Sequence, residues 1–316
     1  MSHPQVPPHL GDSPHRSGFA AILGRPNAGK STLLNALIGE KIAIVSRRPQ
    51  TTRDGIRGIL SRDDFQIVFV DTPGIIDPHD RLNEALMANV EEALEGIDVA
   101  LHLFDATEAP LLTGAERAIV GRIPCPRIVL ATKCDLLDGP IDLPRWLAVG
   151  DVGYCERALA ISAVTGEGLE ELIEAVRRHL PEGEPLYDED QLTDRDLRFL
   201  AGEAVREKVF ELTGQELPYA TAVQVQEFRE GGGEEKTFIS AIIYVERDSQ
   251  RGMIVGKGGQ MIRQIGQEAR RDIEALLEES IFLDLRVKVR KNWRRSDPDL
   301  RMFGYRPPRQ TRRRGQ

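Results

Sequence analysis

A chain of 316 residues with 41% apolar and 29% charged side chains has the makeup of a folded globular protein of about two domains, which excludes a fibre or a wholly disordered chain. Its formal charge is −8, yet residues 286–316 hold twelve Lys and Arg against Asp297 and Asp299, leaving that segment at +10 and the rest at −18. A basic end on an acidic body points to a polyanionic partner, nucleic acid or an anionic membrane surface. No run approaches the ~20 apolar residues of a membrane span, no signal-peptide layout opens the chain, and Cys125, Cys134 and Cys155 form neither a CxxC pair nor a disulfide framework; the expectation is a cytoplasmic protein without structural zinc.

Residues 1–16 carry Pro4, Pro7, Pro8, Pro14 and three histidines without apolar periodicity, and read as a disordered leader. Over 17–181, apolar runs at 19–23, 65–70, 99–104, 127–131 and 158–162 alternate with helical segments. That alternation predicts a doubly wound α/β domain with a mostly parallel sheet, whose ligands bind beyond the carboxyl ends of the strands. GRPNAGKS follows the first run at once, as Gly24, Arg25, Pro26, Asn27, Ala28, Gly29, Lys30 and Ser31. It satisfies G-x-x-x-x-G-K-S and opens onto a helix: backbone N–H groups cradle phosphates, Lys30 reaches the β- and γ-phosphates, and Ser31 offers a hydroxyl to Mg²⁺.

The pair Thr51 and Thr52, in QTTRD, lies between the first helix and the strand at 65–70, where a loop can order around a γ-phosphate and release it after hydrolysis. Asp71, Thr72, Pro73 and Gly74 then sit at a strand end, with the Asp71 carboxylate placed to hold Mg²⁺ and the Gly74 N–H to face the γ-phosphate. Ile75 follows, where Ras-like enzymes place a water-orienting Gln. After the run 127–131 come Thr132, Lys133, Cys134 and Asp135, and the run 158–162 ends on Ser162 with Ala163 next. An aspartate with two acceptor oxygens matches the paired N1–H and 2-amino donors of guanine, Lys133 would lie along the base, and a backbone N–H near Ala163 would bond the guanine carbonyl; this predicts GTP over ATP.

Residues 182–196, which open with EGEP after Pro181, read as a linker. Thr193 is placed to cap a helix running to about Leu212, and two strand-like runs flank the turn at Gly231, Gly232 and Gly233. A helix pair broken at Gly256, Lys257, Gly258 and Gly259 follows, with Ile262, Ile265, Ala269, Ile273 and Leu276 at three- and four-residue steps, and the strand 283–290 closes an α-β-β-α-α-β order over 197–292. G-x-x-G between two helices in that order has the form of a type II KH domain, which clamps about four single-stranded nucleotides, with Ile254 and Val255 expected to line the groove. Residues 293–316 form a basic tail; Lys291 and Arg294 are candidates for phosphate contacts, and Trp293 reads equally as a stacking or a core residue.

GRPNAGKS, QTTRD, DTPG, TKCD and SA stand where the five guanine-nucleotide motifs of the translation-factor-related GTPases stand, and with the GKGG unit and the stretches 41–59, 252–266 and 287–295 the chain resembles the Era family of bacterial GTPases from about Gly18 to Tyr305. The resemblance implies a slow GTPase that binds GTP and GDP, takes Mg²⁺ on Ser31, Thr52 and Asp71, and holds K⁺ on Asn27 to supply the charge an arginine finger gives elsewhere. It favours Thr52 over Thr51 and gives Lys30, Asn27, Thr52 and Gly74 the catalytic roles. It further implies a monomer that binds the 3′ end of 16S rRNA, assists 30S subunit maturation and associates peripherally with the inner membrane. Thr132 departs from the family's usual Asn, which ties the base loop to the phosphate loop. The other reading, from Ile75 and Thr132, is a nucleotide-sensing RNA adaptor with negligible turnover.

Overall fold

The computed structural model describes residues 14–45, 52–53, 55–214, 217, 220–232 and 235–308; Thr51, most of the leader and the Arg-rich end at 309–316 lie outside the described residues. The first domain contains β1 (Arg16–Gly24), α1 (Lys30–Ile38), β2 (Ile56–Arg62), β3 (Phe65–Asp71), α2 (Arg81–Glu92), β4 (Val99–Asp105), α3 (Gly114–Val120), β5 (Arg127–Thr132), α4 (Leu143–Ala148), β6 (Arg157–Ala160) and α5 (Leu169–Arg177). Its sheet runs β2-β3-β1-β4-β5-β6, parallel except for β2. Helices cover both faces, so β4 and β5 are mostly apolar and buried at nearly every position, as a doubly wound sheet requires, with His102, Arg127 and Thr132 as buried polar exceptions. The expected strands all form. The edge strand β2, IRGILSR, was not anticipated: its charged ends and Gly58 mask its alternation, and its antiparallel register with β3 supplies the order.

Loops leave the carboxyl ends of β1, β3, β5 and β6, bringing residues 24–31, 71–75, 132–135 and 162–163 to one edge of the sheet. The linker does not hang free. Ile59 N–H donates to Leu192 O at 2.9 Å, and the Gln66 side chain bonds the backbone of Leu186 and Tyr187 at 2.7–2.9 Å.

The second domain contains α6 (Leu197–Leu212), β7 (Ala222–Arg229), β8 (Thr237–Val245), α7 (Asp248–Val255), α8 (Gln260–Leu277) and β9 (Ile281–Val289), in the expected α-β-β-α-α-β order. The three strands lie in the order β7-β8-β9, antiparallel then parallel. Asp196 caps α6 by accepting from Phe199 N–H at 2.7 Å, whereas the expected cap, Thr193, lies three residues early and turns its hydroxyl to Arg195 N–H. On α8 the buried positions are Ile265, Ala269 and Ile273; Ile262 and Leu276, expected in the same stripe, are half-buried at its margins.

The segment after β9 departs most from expectation. Its first half is no tail: a 3₁₀ turn at Trp293–Arg295 and α9 (Asp297–Met302) fold back between the domains. Trp293, Leu300 and Tyr305 form one apolar cluster with Ile242 and Tyr244 of β8 and Leu82, Ala85 and Leu86 of α2. Ion pairs border it, Arg81 to Asp297 at 2.9 Å and Arg294 to Glu246 at 2.9 Å, and across the other side Lys41 pairs with Glu207 at 2.6 Å and Asp272 at 2.9 Å.

Candidate nucleotide and RNA sites

The phosphate loop leaves β1 at Gly24 and turns into α1, whose first helical residue is Lys30, so the helix N-terminus and loop amides face a common concavity. Lys30 Nζ donates to Gly24 O at 3.1 Å and Arg25 O at 2.8 Å across that concavity. Burial lowers its ammonium to about 8, against the pull of Asp71 and Glu116. A polyphosphate placed there would restore the full cation.

Ser31, Thr52 and Asp71 meet although they belong to three separate segments. Ser31 Oγ and Thr52 Oγ1 are 2.7 Å apart and lie 2.8 and 2.9 Å from Asp71 Oδ2. Asp71 is wholly buried, burial raises its carboxyl against the opposing effect of Lys30 and the two hydroxyls, and its Oδ1 has no hydrogen-bond partner among the described residues. Three hard oxygens beside an uncompensated buried carboxylate oxygen fit a Mg²⁺ site, whose cation would offset the cost of burying the charge.

The DTPG turn is stitched to the phosphate loop. A Cβ on Gly74 would lie 2.7 Å from Pro26 N and Cγ, so only glycine lets the two loops approach, and Ile75 N–H donates to Gly24 O at 3.1 Å. Thr72 anchors rather than binds: its hydroxyl donates to Ile22 O at 2.7 Å and is wholly buried. The Ile75 side chain is buried with Leu23, Val90 and Leu94, turned into the core and away from the phosphate loop, while Asn27 is exposed with φ 65° at the loop's crest.

At the base end, Lys133 takes a left-handed conformation (φ 61°) and its Nζ bonds Asp105 Oδ2 at 2.7 Å, extending the aliphatic stem along the site. Asp135 is exposed and its Oδ1 accepts from Ser162 Oγ at 2.6 Å, which orients the carboxylate. Cys134 holds the turn through Sγ to Ala131 O at 3.2 Å, and Ala163 is half-buried beside it. Thr132, whose departure from Asn cast doubt on the tether, retains it: Thr132 Oγ1 is 2.9 Å from Ala28 O in the phosphate loop and 3.1 Å from Phe104 O. Thr132→Val keeps the shape and removes this donor from two buried carbonyls. We expect GTP binding weakened about five- to thirty-fold, equivalent to ~1–2 kcal/mol, as a nucleotide titration would read, with a melting temperature lowered by a few degrees because a buried acceptor loses its donor.

One further element was not legible. Arg25 Nε donates to Glu116 Oε2 at 2.9 Å, His102 Nε2 lies 3.4 Å from Glu116 Oε1, and Arg127 Nη1 lies 2.9 Å from His102 Nδ1, a buried polar chain under the phosphate loop. Burial alone would raise Glu116; His102, the Thr113 N–H and Arg25 instead hold it down to about 2. The bonded pairs are 14, 25 and 91 positions apart, and although Arg25 lies in the phosphate-loop motif and Glu116 closes a capping box with Thr113, no spacing in the sequence joins the two.

In the second domain, Gly256 has φ 71° and ψ 174°, a region open only to glycine, and a Cβ there would strike Met261 Cβ at 2.7 Å. Lys257 and Gly258 are exposed, Gly259 caps α8, and the loop presents its backbone to solvent at that helix's N-terminus. Val255 is half-buried beside it, but Ile254 is wholly buried in the domain core, packed with Ile243, Ile265 and Ile281, so the expectation that it lines the groove is corrected. The groove adjoining GKGG, about 300 Å³, is lined instead by Ile262, Gly266, Phe282 and Leu285 with Arg263 and Arg270 at its margin. Lys291 is exposed; Arg294 is tied to Glu246 at 2.9 Å and Asp80 at 3.4 Å, which makes it an interdomain residue, and Trp293 is core.

Two family models match the chain: a 50S ribosome-binding GTPase over residues 19–133 and a KH domain over 216–294. GTPase Era of Geobacter metallireducens is 44% identical over 297 residues, covering 94% of this chain and all of the relative, and that of Carboxydothermus hydrogenoformans is 40% identical over 293 residues, covering 92% and 98%. Among solved structures, Era in complex with MgGDPNP and nucleotides 1506–1542 of 16S ribosomal RNA superimposes with a TM-score of 0.84 at 37% identity, over 92% of this chain and 99% of that one. An Aquifex aeolicus Era variant bound to GDP and AlF4⁻ gives the same TM-score at 36% identity and the same coverage.

Proposed function

The chain belongs to the Era family of GTPases, and on that premise we propose that it is a GTP-driven switch that binds the 3′ end of small-subunit ribosomal RNA and assists maturation of that subunit. One observation carries this reading: the likeness to an Era structure holding both MgGDPNP and 16S rRNA spans both domains, so the phosphate loop and the GKGG loop are matched together rather than one at a time.

Hydrolysis transfers the γ-phosphoryl group to water and leaves GDP and inorganic phosphate. The loop amides and Lys30 hold the phosphates, and Gly74 N–H stands where it can face the γ-phosphate. Ser31, Thr52 and Asp71 would hold Mg²⁺, which when bound offsets phosphate charge. Asp135, oriented by Ser162, accepts from the guanine edge and rejects adenine. With Ile75 turned into the core, no side chain there orients the water, and slow intrinsic turnover follows. Asn27, exposed at the crest of the loop, would hold K⁺ and supply positive charge to the transition state. A cytoplasmic monomer with a fraction at the inner membrane completes the reading; it rests on the family resemblance and on the basic C-terminal end.

The test is equilibrium binding of a single-stranded RNA copying the 3′ end of 16S rRNA, with a GTP analogue, GDP or no nucleotide. Binding about tenfold tighter with the analogue is the expected result, since RNA and GTP must then favour each other by the same coupling free energy. Equal binding in all three states would leave two independent modules, and no binding would remove the RNA assignment. The buried Ile75 favours a second reading, an RNA adaptor that senses nucleotide without turnover; single-turnover hydrolysis unaccelerated by K⁺ and RNA would select it.

A further inference from the structure

We propose that Arg53 is the positioning residue that holds Thr52 at the Mg²⁺ oxygens, and that the folded C-terminal segment around Trp293 and Tyr305 is therefore part of the GTP site. The inference rests on the GTPase reading and concerns how that site is held together.

Thr52 and Arg53 are neighbours whose side chains serve opposite sides of the molecule. The Thr52 hydroxyl lies in the oxygen cluster with Ser31 and Asp71, whereas the Arg53 side chain is wholly buried in the second domain. Its Nη1 donates to Thr221 O at 2.7 Å and lies 3.3 Å from the Tyr305 hydroxyl, and its guanidinium carbon stands 5.8 Å from the Phe210 ring centroid and 6.0 Å from that of Trp293. The cage is held together by its own contacts. Trp293 Nε1 donates to Ala220 O at 3.0 Å, its ring stacks on Tyr305 at 6.2 Å and meets Phe303 edge-on at 5.1 Å.

A buried guanidinium is costly unless its donors and charge are met, so leaving this cage for another dry site is unfavourable, and cation–π contact deepens the well. Consecutive Cα atoms are ~3.8 Å apart, so Thr52 cannot withdraw from the oxygen cluster without dragging Arg53. The same backbone is gripped from α2, the helix after DTPG: Asn89 Nδ2 donates to Arg53 O at 3.1 Å, and Leu82, Ala85 and Leu86 of α2 pack in the cluster that contains Trp293. Both segments that contact the γ-phosphate region thus converge on one aromatic cage contributed by the second domain and the segment after β9. Because Thr52 is needed with the triphosphate and not with GDP, the cage selectively favours the triphosphate state.

The experiment uses the full chain carrying Trp146→Phe, which leaves Trp293 as the sole tryptophan, with Arg53→Met, Arg53→Lys and Tyr305→Phe added singly. Fluorescent GDP and GTP-analogue affinities are measured against Mg²⁺ concentration, and Trp293 emission is recorded with each nucleotide. Arg53→Met should weaken the analogue about tenfold or more, raise the Mg²⁺ midpoint and abolish the analogue-specific change in Trp293 emission, while GDP affinity stays within about twofold; Arg53→Lys should recover part of this. Analogue affinity and Mg²⁺ midpoint equal to the parent in Arg53→Met would overturn the proposal, as would equal losses for GDP and analogue. If Arg53→Met fails to fold, Tyr305→Phe, which removes only a hydroxyl, carries the same comparison with a shift of about two- to threefold, and no shift there overturns it. A parent protein that binds neither nucleotide would remove the GTPase reading, and this inference with it.

Discussion

Lys30→Ala is expected to lower GTP hydrolysis by about a thousandfold or more and to weaken GTP and GDP binding together, the largest single loss available at this site. The ammonium lies inside the phosphate concavity, buried and directed across the loop at Gly24 O and Arg25 O. In the nucleotide-free protein it is a burden, since burial has already lowered it to about 8. Alanine removes a charge that folding disfavours, so the nucleotide-free variant should melt no lower than the parent while losing the function. Calorimetric binding alongside a thermal melt separates the two. Retained turnover would place the phosphates elsewhere, and a large fall in melting temperature would mean that Lys30 serves the fold instead.

Gly258→Asp should abolish RNA binding, by at least about a hundredfold, while leaving GTP binding as it was. The position suits the test. Its φ of 60° and ψ of 21° lie in the left-handed region that aspartate tolerates at a cost of about 1 kcal/mol, and a Cβ there meets nothing within 4 Å. The fold therefore survives, and a carboxylate is set beside Lys257 at the start of α8, where a backbone phosphate would sit. Gly256 would not serve, because any Cβ there collides with Met261 and the loop itself would rearrange. RNA titrations at two salt concentrations would read both the lost affinity and a shallower salt slope. Undiminished RNA binding would move the site away from GKGG.

The parts of this protein legible in its sequence are those made by contiguous residues. A phosphate loop, a DTPG turn, a TKCD turn and a G-x-x-G loop each build their geometry from four to eight neighbours at a strand or helix end, and the strands of a doubly wound sheet are mostly apolar runs because both faces are covered. Those features, and the order in which they come, carried the two-domain architecture and the guanine site. What the tertiary structure alone decided is everything made by residues brought together from afar. Thr132 reaches Ala28 across 104 positions to keep the tether that its departure from Asn had put in doubt, and Glu116 reaches Arg25 across 91. Arg53 meets Tyr305 across 252, turning a segment that reads as a basic tail into a wedge between domains. Ile254 was misassigned because apolarity beside a loop does not say which side of the helix faces the core; only the packing of β8, α8 and β9 does. Local spacing records local hydrogen bonding and periodic burial, whereas the pairing of distant side chains is chosen by the closure of the whole chain.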